Sequence, residues 1–476
     1  SSTAPLNAGG VLGSTGPWTL ANDQTIVIGG IHNYVLTVNV KMDLGNPVEG
    51  GDGIYNACES AIPGDPDFGE GLYNQSKLDF NDDGIWDEYS EACGDLPYVT
   101  HEKHIDQIVQ TGARAWNVYY HILVSNLGGA TGQYNLSDQP NFDNDIVIGN
   151  GNYTSTAPGV AGASLFGNGP WTLGSDVLIN KGAIHDYNIV LGVTMNLTDP
   201  ASPGDEYYTA CETNYQGDPI PGEGLYNQSS LDINDDGNYD EQDEVCDDIP
   251  YITHEKELVS ILPLGGNTYE VKYNIEVTNI GGANGLYDLW DTPGFDNDIE
   301  ILEAYHEVIY NCPVGAAATT QLFTAFPWKI QDDGSLAPGM TDCHTMRFKV
   351  KLDLVDPISG GDGIYTECEY ATPGNPTFGE GLYNQSSIDV NEDGIEDEYR
   401  EDCGDITQLS KIGDFVWLDE NANGIQELGE TGINNIQVTL YNGSGVFQGT
   451  TNTGNHPSTG QAGWYEFNNL TPGNYY

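Results

Sequence analysis

Three stretches of this 476-residue chain carry one oxygen-rich spacing. GEGLYNQSKLDFNDDG runs from Gly69 to Gly84, GEGLYNQSSLDINDDG from Gly222 to Gly237, and GEGLYNQSSIDVNEDG from Gly379 to Gly394. Each ends in D-x-N-x-D-G-x-x-D, which sets carboxylate and amide oxygens at alternate positions and a glycine at the sharp turn, the way a loop wraps a hard cation such as calcium. Counted from the first aspartate, positions 1, 3, 5 and 9 are Asp79, Asn81, Asp83 and Asp87; then Asp232, Asn234, Asp236 and Asp240; then Asp389, Asn391, Asp393 and Asp397. Position 7 offers a backbone carbonyl, from Ile85, Asn238 and Ile395. Position 12, a bidentate glutamate in an EF-hand, is Ser90, Asp243 and Arg400, and an arginine cannot ligate a cation. The closing carboxylate is therefore expected at position 13 (Glu91, Glu244, Glu401) or at position 10 (Glu88, Glu241, Glu398).

A second cation per copy would draw on Asp52, Asp205 and Asp362, Glu70, Glu223 and Glu380, and Asn74, Asn227 and Asn384. The other reading of those residues is a hydrogen-bonded turn that braces the first site. Asp143 and Asp145, with Asp296 and Asp298, recur as FDND and read chiefly as turn residues.

The cysteines frame the same stretches. Cys58 and Cys93, Cys211 and Cys246, and Cys368 and Cys403 each bracket one copy at identical spacing, which predicts three local disulfides; Cys312 and Cys343 make a fourth. Closing a loop of this length contributes roughly 4 kcal/mol in the chain-entropy model. Disulfides on this scale imply an oxidising, extracytoplasmic compartment, and the C-x-x-C spacing of a zinc site is absent. The formal charge of -59, spread along the chain, excludes nucleic acid and anionic membrane as partners, since phosphate binding needs a basic footprint. No run of about 18 apolar residues is present, so no segment here is expected to span a membrane as a helix.

The elements that must position these loops are strands. Apolar residues make up 38% of the chain, enough for ordered cores. After Trp18, Trp171 and Trp328 come runs with a period of two: Tyr34, Leu36, Val38, Val40 and Met42; Tyr187, Ile189, Leu191, Val193 and Met195; Met346, Phe348, Val350, Leu352 and Leu354. Such alternation predicts half-buried antiparallel strands. A second kind of strand follows PYVTHEKHI at Pro97 and PYITHEKEL at Pro250, with Val118, Tyr120, Ile122 and Val124 in one and Tyr269, Val271, Tyr273, Ile275 and Val277 in the other. No helix of three turns is expected.

YNIEVTNIGGANGLYDLWDTPGF, from Tyr273 to Phe295, resembles the V-T-N-x-G repeats of bacterial surface proteins, a resemblance that implies an Ig-like β-sandwich used in tandem; Ser125, Asn126 and Leu127 depart from V-T-N in the earlier copy. From Gly413, GDFVWLDENANGIQELGETGINNIQVTLYNGSG followed by GWYEFNNLTPGNYY resembles the B-type domain of serine-aspartate repeat surface proteins, itself related to collagen-adhesin B domains. The resemblance implies a calcium loop from Asp419, Asn421, Asn423 and Glu427, with Glu430 and the carbonyl of Ile425.

The fold class expected is all-β: tandem Ig-like β-sandwiches joined by disulfide-closed calcium-binding cassettes, with a C-terminal B-type β-sandwich. Residues 1–48 form the C-terminal half of a sandwich, 49–96 the first cassette, 97–199 a sandwich, 200–249 the second cassette, 250–356 a sandwich, 357–406 the third cassette, and 411–476 an incomplete B-type domain. Both ends read as cut inside domains of a longer protein. Three or more calcium ions are expected, about one per cassette and one in the terminal domain.

His101, Glu102 and His104 lack the H-E-x-x-H spacing, and no nucleophile elbow, P-loop or nucleotide fingerprint is present, so no enzyme is expected. The expected function is structural, an extracellular calcium-rigidified rod or filament at a bacterial cell surface that self-associates. Alternatives are an adhesin that binds a protein or glycan ligand, the stalk of a larger secreted protein, and polymerisation by strand exchange.

Overall fold

In the computed structural model the alternating runs are long antiparallel strands, because one face of each is apolar and the backbone needs a partner along both edges. The structure describes residues 1–476 except 6–8, 14–15, 48–49, 59–67, 198–203, 212–219, 314–316, 323–325, 356–359, 369–377, 408–409 and 471–472. The domain boundaries expected at 48/49, 199/200 and 356/357 lie outside the described residues. The chain divides into two compact units, Ser1–Ile249 and Pro250–Tyr476.

The first unit opens with the hairpin β1 (Asn74–Leu78) and β2 (Glu88–Ala92). Its sandwich uses β3 (Val99–Gly112), β4 (Ala115–Asn126), β5 (Gly132–Pro140), β6 (Ile146–Ser155), β7 (Ala163–Leu165), β8 (Trp171–Ile179) and β9 (Ile184–Met195). A second hairpin, β10 (Asn227–Asp232) and β11 (Glu241–Val245), follows. One sheet has the order β3-β4-β9-β6-β7 and the other β11-β10-β5-β8. The cassette hairpin is thus two of the four strands of the second sheet, with Leu231 opposite Leu136 and Ser229 opposite Asp138.

The second unit repeats the plan with β12 (Ile252–Gly265), β13 (Thr268–Asn279), β14 (Gly285–Pro293), β15 (Ile299–Ile309), β16 (Ala317–Leu322), β17 (Trp328–Leu336), β18 (Thr341–Leu352), β19 (Asn384–Asp389) and β20 (Glu398–Asp402). Its sheets have the orders β12-β13-β18-β15-β16 and β17-β14-β19-β20. The terminal segment adds β21 (Ser410–Phe415) paired with β24 (Trp464–Leu470), and β22 (Gln437–Tyr441) paired with β23 (Phe447–Asn452).

Trp116, Val118, Tyr120 and Ile122 of β4 face Val193, Leu191, Ile189 and Tyr187 of β9 at paired, buried positions. Met346, Phe348 and Val350 of β18 face Tyr273, Val271 and Tyr269 of β13 in the same way, and Leu352 faces Ile299 of β15. The cassettes contribute core residues of their own: Leu225, Leu231, Leu382 and Ile388 are completely buried. The first copy differs. The strand expected over Tyr34–Met42 is reduced to a single bridge between Ser2 and Tyr34, and Val38 and Val40 are more than half exposed. The counterparts β9 and β18 are each flanked by two strands that precede them in sequence, β4 and β6 or β13 and β15. Around the Ser2–Tyr34 bridge, Thr3 N–H donates to the Asn33 carbonyl at 3.0 Å and Val35 N–H to that of Ser1 at 2.9 Å.

All four expected disulfides are formed, Cys58–Cys93, Cys211–Cys246, Cys312–Cys343 and Cys368–Cys403. In the cassettes the second glycine of GEG lies against the bridge: a Cβ at Gly224 would come within 2.6 Å of Cys211 Sγ, and one at Gly381 within 2.5 Å of Cys368 Sγ.

Candidate metal centres

Each oxygen-rich loop is the turn of a cassette hairpin. Leu231 pairs with Glu241 at the hairpin end, and the residues between them form the loop; Leu78 with Glu88 and Ile388 with Glu398 are the equivalents. Asp232 Oδ1 accepts the N–H of Asp235 at 2.8 Å and Oδ2 that of Gly237 at 3.2 Å. Asn234 Oδ1 accepts from Asp236 N–H and Asp236 Oδ1 from Asn238 N–H, at 3.0 and 2.8 Å. Asp240 Oδ2 accepts from Ile233 N–H at 2.7 Å, while its Oδ1 accepts from the Asn234 amide at 3.2 Å. Gly237 sits at φ +81°, where a side chain would be strained.

The same backbone pattern holds at the other two cassettes. Asp79 accepts from Asp82 and Gly84, and Asp87 from Phe80. Asp389 accepts from Glu392 and Gly394, and Asp397 from Val390. Asn81, Asp83, Asn391 and Asp393 cap the next-but-one N–H in turn, which places the carbonyls of Ile85, Asn238 and Ile395 at the corresponding point of each loop. In the terminal segment Asp419 accepts from Asn423 and Gly424 N–H, Asn423 Oδ1 accepts from Ile425 N–H, and Glu427 accepts from the amides of Asn421 and Asn423. Glu430 reaches back over this loop and accepts from the N–H groups of Glu420 and Glu427.

This donor set fits a hard cation. It is all oxygen, already ordered by the loop N–H groups, and two of its first-position carboxylates are buried: Asp232 is 5% exposed and Asp389 0%. Neither forms an ion pair with Lys or Arg among the described residues; loop N–H groups hold both, and the Asn135 amide also donates to Asp232 Oδ2 at 3.5 Å. A carboxylate removed from water without a counter-charge is costly, and a bound cation removes that cost. Hydrogen bonds from Asn238 hold the fully exposed Asp236 carboxyl below its ordinary range.

The glutamates expected to close the loops stand elsewhere. Glu91 accepts from Tyr73 Oη at 2.7 Å, Glu244 from the Gln228 amide at 3.3 Å, and Glu401 from Tyr383 Oη at 3.4 Å, all across the hairpins. Of the position-10 residues, Glu241 accepts from Thr100 Oγ1 at 2.6 Å and Glu398 faces Arg400. His101 is buried on β3 while Glu102 and His104 are exposed on it, so the three do not converge.

Two sets of residues carry more than their sequence context signals. The FDND aspartates are anchors: Asp143 accepts from Thr209 N–H and Asp145 from Tyr207 N–H, and Asp296 and Asp298 accept from Thr366 and Gly363. They fasten the starts of the second and third cassettes to the sandwich before each, and burial pushes Asp143 above its ordinary range against the pull of those N–H groups. Asp95, Asp248 and Asp405 are the second set, each accepting from the N–H of the first cassette cysteine and from a tyrosine hydroxyl. Their recurrence a fixed step after the second cysteine was the available signal. A further acidic cluster, Asp288, Asp332 and Asp333, has ligand atoms within 4.8 Å of one another, and Lys329 already contacts Asp288 at 2.8 Å and also Asp332.

Residues 410–476 match the family model of the SdrD B-like domain. Over 100 residues the chain is 39% identical to serine-aspartate repeat-containing protein E of Staphylococcus aureus strain Mu50, covering 21% of this chain and 8% of that protein. It is 38% identical over 100 residues to the bone sialoprotein-binding protein of S. aureus strain MRSA252, with the same coverage. The chain thus spans 8% of the length of these relatives. Among solved structures, the major pilin subunit BcpA of Bacillus cereus superposes with a TM-score of 0.26 at 12% identity, covering 72% of this chain and 86% of that one. The group B streptococcus pilus 2b backbone protein gives 0.21 at 15% identity, covering 46% and 81%.

Proposed function

We propose that this stretch of chain is an extracellular structural element of a bacterial surface protein, a rod or filament segment whose modules are stiffened by calcium. The observation that carries the reading is the pair of buried, uncompensated loop aspartates, Asp232 and Asp389, at the tip of a hairpin that is itself part of a sandwich sheet. A cation there is linked to the order of the whole second sheet, so calcium concentration sets module stability. The structural module is a sandwich with the cassette that follows it, 97–249 and 250–406. Each cassette loop holds one calcium through its positions 1, 3, 5, 7 and 9, and the SdrD B-like segment holds another through Asp419, Asn421, Asn423, Ile425, Glu427 and Glu430. Glu91, Glu244 and Glu401 complete the cassette sites only if the hairpin ends rearrange on binding; water is the simpler remaining ligand. The residues present serve cohesion rather than catalysis.

Similarity to the bone sialoprotein-binding protein of S. aureus favours one second reading, an adhesin that displays a ligand-binding region on such modules.

Calorimetry with and without a chelator, paired with metal analysis, tests the main reading. The expected outcome is at least three calcium ions per chain and a melting temperature that falls when they are removed. Fewer ions with an unchanged melt would defeat it.

A further inference from the structure

Three polar side chains from three strands meet inside each sandwich. On β3 the side chain of Lys103 is wholly buried, and its Nζ contacts Oδ1 of Asp138 on β5, which is equally buried. Asn227 on the cassette strand β10 is 0% exposed and donates from Nδ2 to the other oxygen, Asp138 Oδ2, at 3.1 Å. One carboxyl group therefore bridges a primary amine and a primary carboxamide. The second unit repeats the set: Lys256 Nζ on β12 lies 2.5 Å from Asp291 Oδ1 on β14, and Asn384 on β19 is buried beside the same carboxyl.

As simple hydrogen-bonded pairs these groups are poorly provided for. Asn227 Oδ1, Asp291 Oδ2 and both polar atoms of the Asn384 amide have no hydrogen bond of good geometry. The ring of Tyr120 lies 5.3 Å from Lys103 Nζ and that of Tyr273 5.4 Å from Lys256 Nζ, so an aromatic face covers the amine where water would otherwise solvate it. Buried polar groups are ordinarily satisfied, and the same shortfall at the same place in both units calls for a chemical reason.

We propose that each set is the site of an intramolecular amide cross-link, Lys103 Nζ to Asn227 Cγ and Lys256 Nζ to Asn384 Cγ, with Asp138 and Asp291 moving the proton. The lysine passes a proton to the aspartate and becomes a neutral amine. Its lone pair attacks Cγ of the asparagine while the aspartic acid hydrogen-bonds the carbonyl oxygen as negative charge develops there. The tetrahedral centre collapses by breaking the Cγ–Nδ2 bond; the proton lost by Nζ goes to the departing nitrogen through the carboxylate, and ammonia leaves. One C–N bond forms, one breaks, and no oxidant or external cofactor is consumed. Burial favours the reactive protonation states, since it lowers both lysines and raises Asp291. The product joins the first strand of one sheet to the cassette strand of the other, so the hairpin is tied to its sandwich by a bond as well as by packing.

Intact mass spectrometry of the full chain, with disulfides reduced, decides the matter. The expected mass is below that of the sequence by two molecules of ammonia, and a digest yields a branched peptide joining Lys103 to Asn227. Asn384→Ala is expected to restore the mass of one ammonia and leave the other link intact. Should that variant not fold, the unaltered chain still decides. A mass equal to that of the sequence would overturn the proposal. So would a deficit of two waters, which would place the bond on the aspartates.

Discussion

Asn126 and Asn279 use every hydrogen-bonding position of a buried carboxamide. Asn126 Oδ1 accepts from the N–H groups of Tyr98 and Gly128, each at 3.1 Å, and Nδ2 donates to the carbonyls of Ala130 and Ile179 at 2.8 and 3.1 Å. Asn279 makes the same four bonds, to Tyr251, Gly281, Ala283 and Leu336. Both are 0% exposed and pin the end of a sandwich strand to two loops. The apparent departure of Ser125-Asn126-Leu127 from V-T-N therefore leaves the working residue in place, because the neighbouring positions are only partly buried or exposed. Asn279→Asp keeps the acceptor, loses two donors and buries a charge. Denaturant unfolding should register a loss of at least about 3 kcal/mol, with Asn279→Ala close behind. A loss under about 1 kcal/mol would mean the four bonds brace nothing.

At the scale of elements, the cassette is where sequence and structure part company. Its loop, its cysteines and the alternation of the long strands are local patterns, and local patterns are legible. The lodging of NQSSLD beside β5 is not, because that strand is short, rich in polar residues and pairs with residues some ninety positions earlier. Counting along a loop likewise says nothing about which face of a hairpin a side chain leaves from, and Glu91, Glu244 and Glu401 accept hydrogen bonds across their hairpins. The exposed hairpin β1–β2 shows what the pairing provides. Leu78 is 55% exposed there, whereas its equivalents Leu231 and Ile388 are 0% exposed. A fragment of residues 97–249 is thus expected to unfold in one cooperative transition. A fragment of 97–199, which leaves the edge of β5 unpaired and its core without Leu225 and Leu231, should bind a hydrophobic dye and lose that transition. Equal cooperativity in both would show the cassette to be an ornament on the sandwich.

For the whole chain, the formal charge of -59 sets the background against which every local contact acts. Repulsion among so many carboxylates opposes the folded state, and salt screens it over about 10 Å at 0.1 M. With a chelator present, raising sodium chloride should raise the melting temperature, and a melt independent of salt would remove repulsion as a term. Strand alternation and cysteine spacing made the all-β class and the four disulfides readable from the sequence. The partners of buried polar groups such as Lys103 were not readable, because a lysine in an alternating strand looks the same whether it points to water or to Asp138. One arrangement has a mechanical meaning. Thr100 Oγ1 bonds Glu241 Oε1 and Lys103 N–H bonds Asp243 Oδ2, both at 2.6 Å, so the strand that enters the sandwich and the strand that leaves it run side by side in one direction. In the second unit Leu258 N–H bonds Asp402 Oδ2 at 2.6 Å, two residues farther along the equivalent strands. Tension drawn along the chain pulls two such strands in opposite senses along their length. They must slide past each other with all their contacts failing together, rather than peel apart one contact at a time.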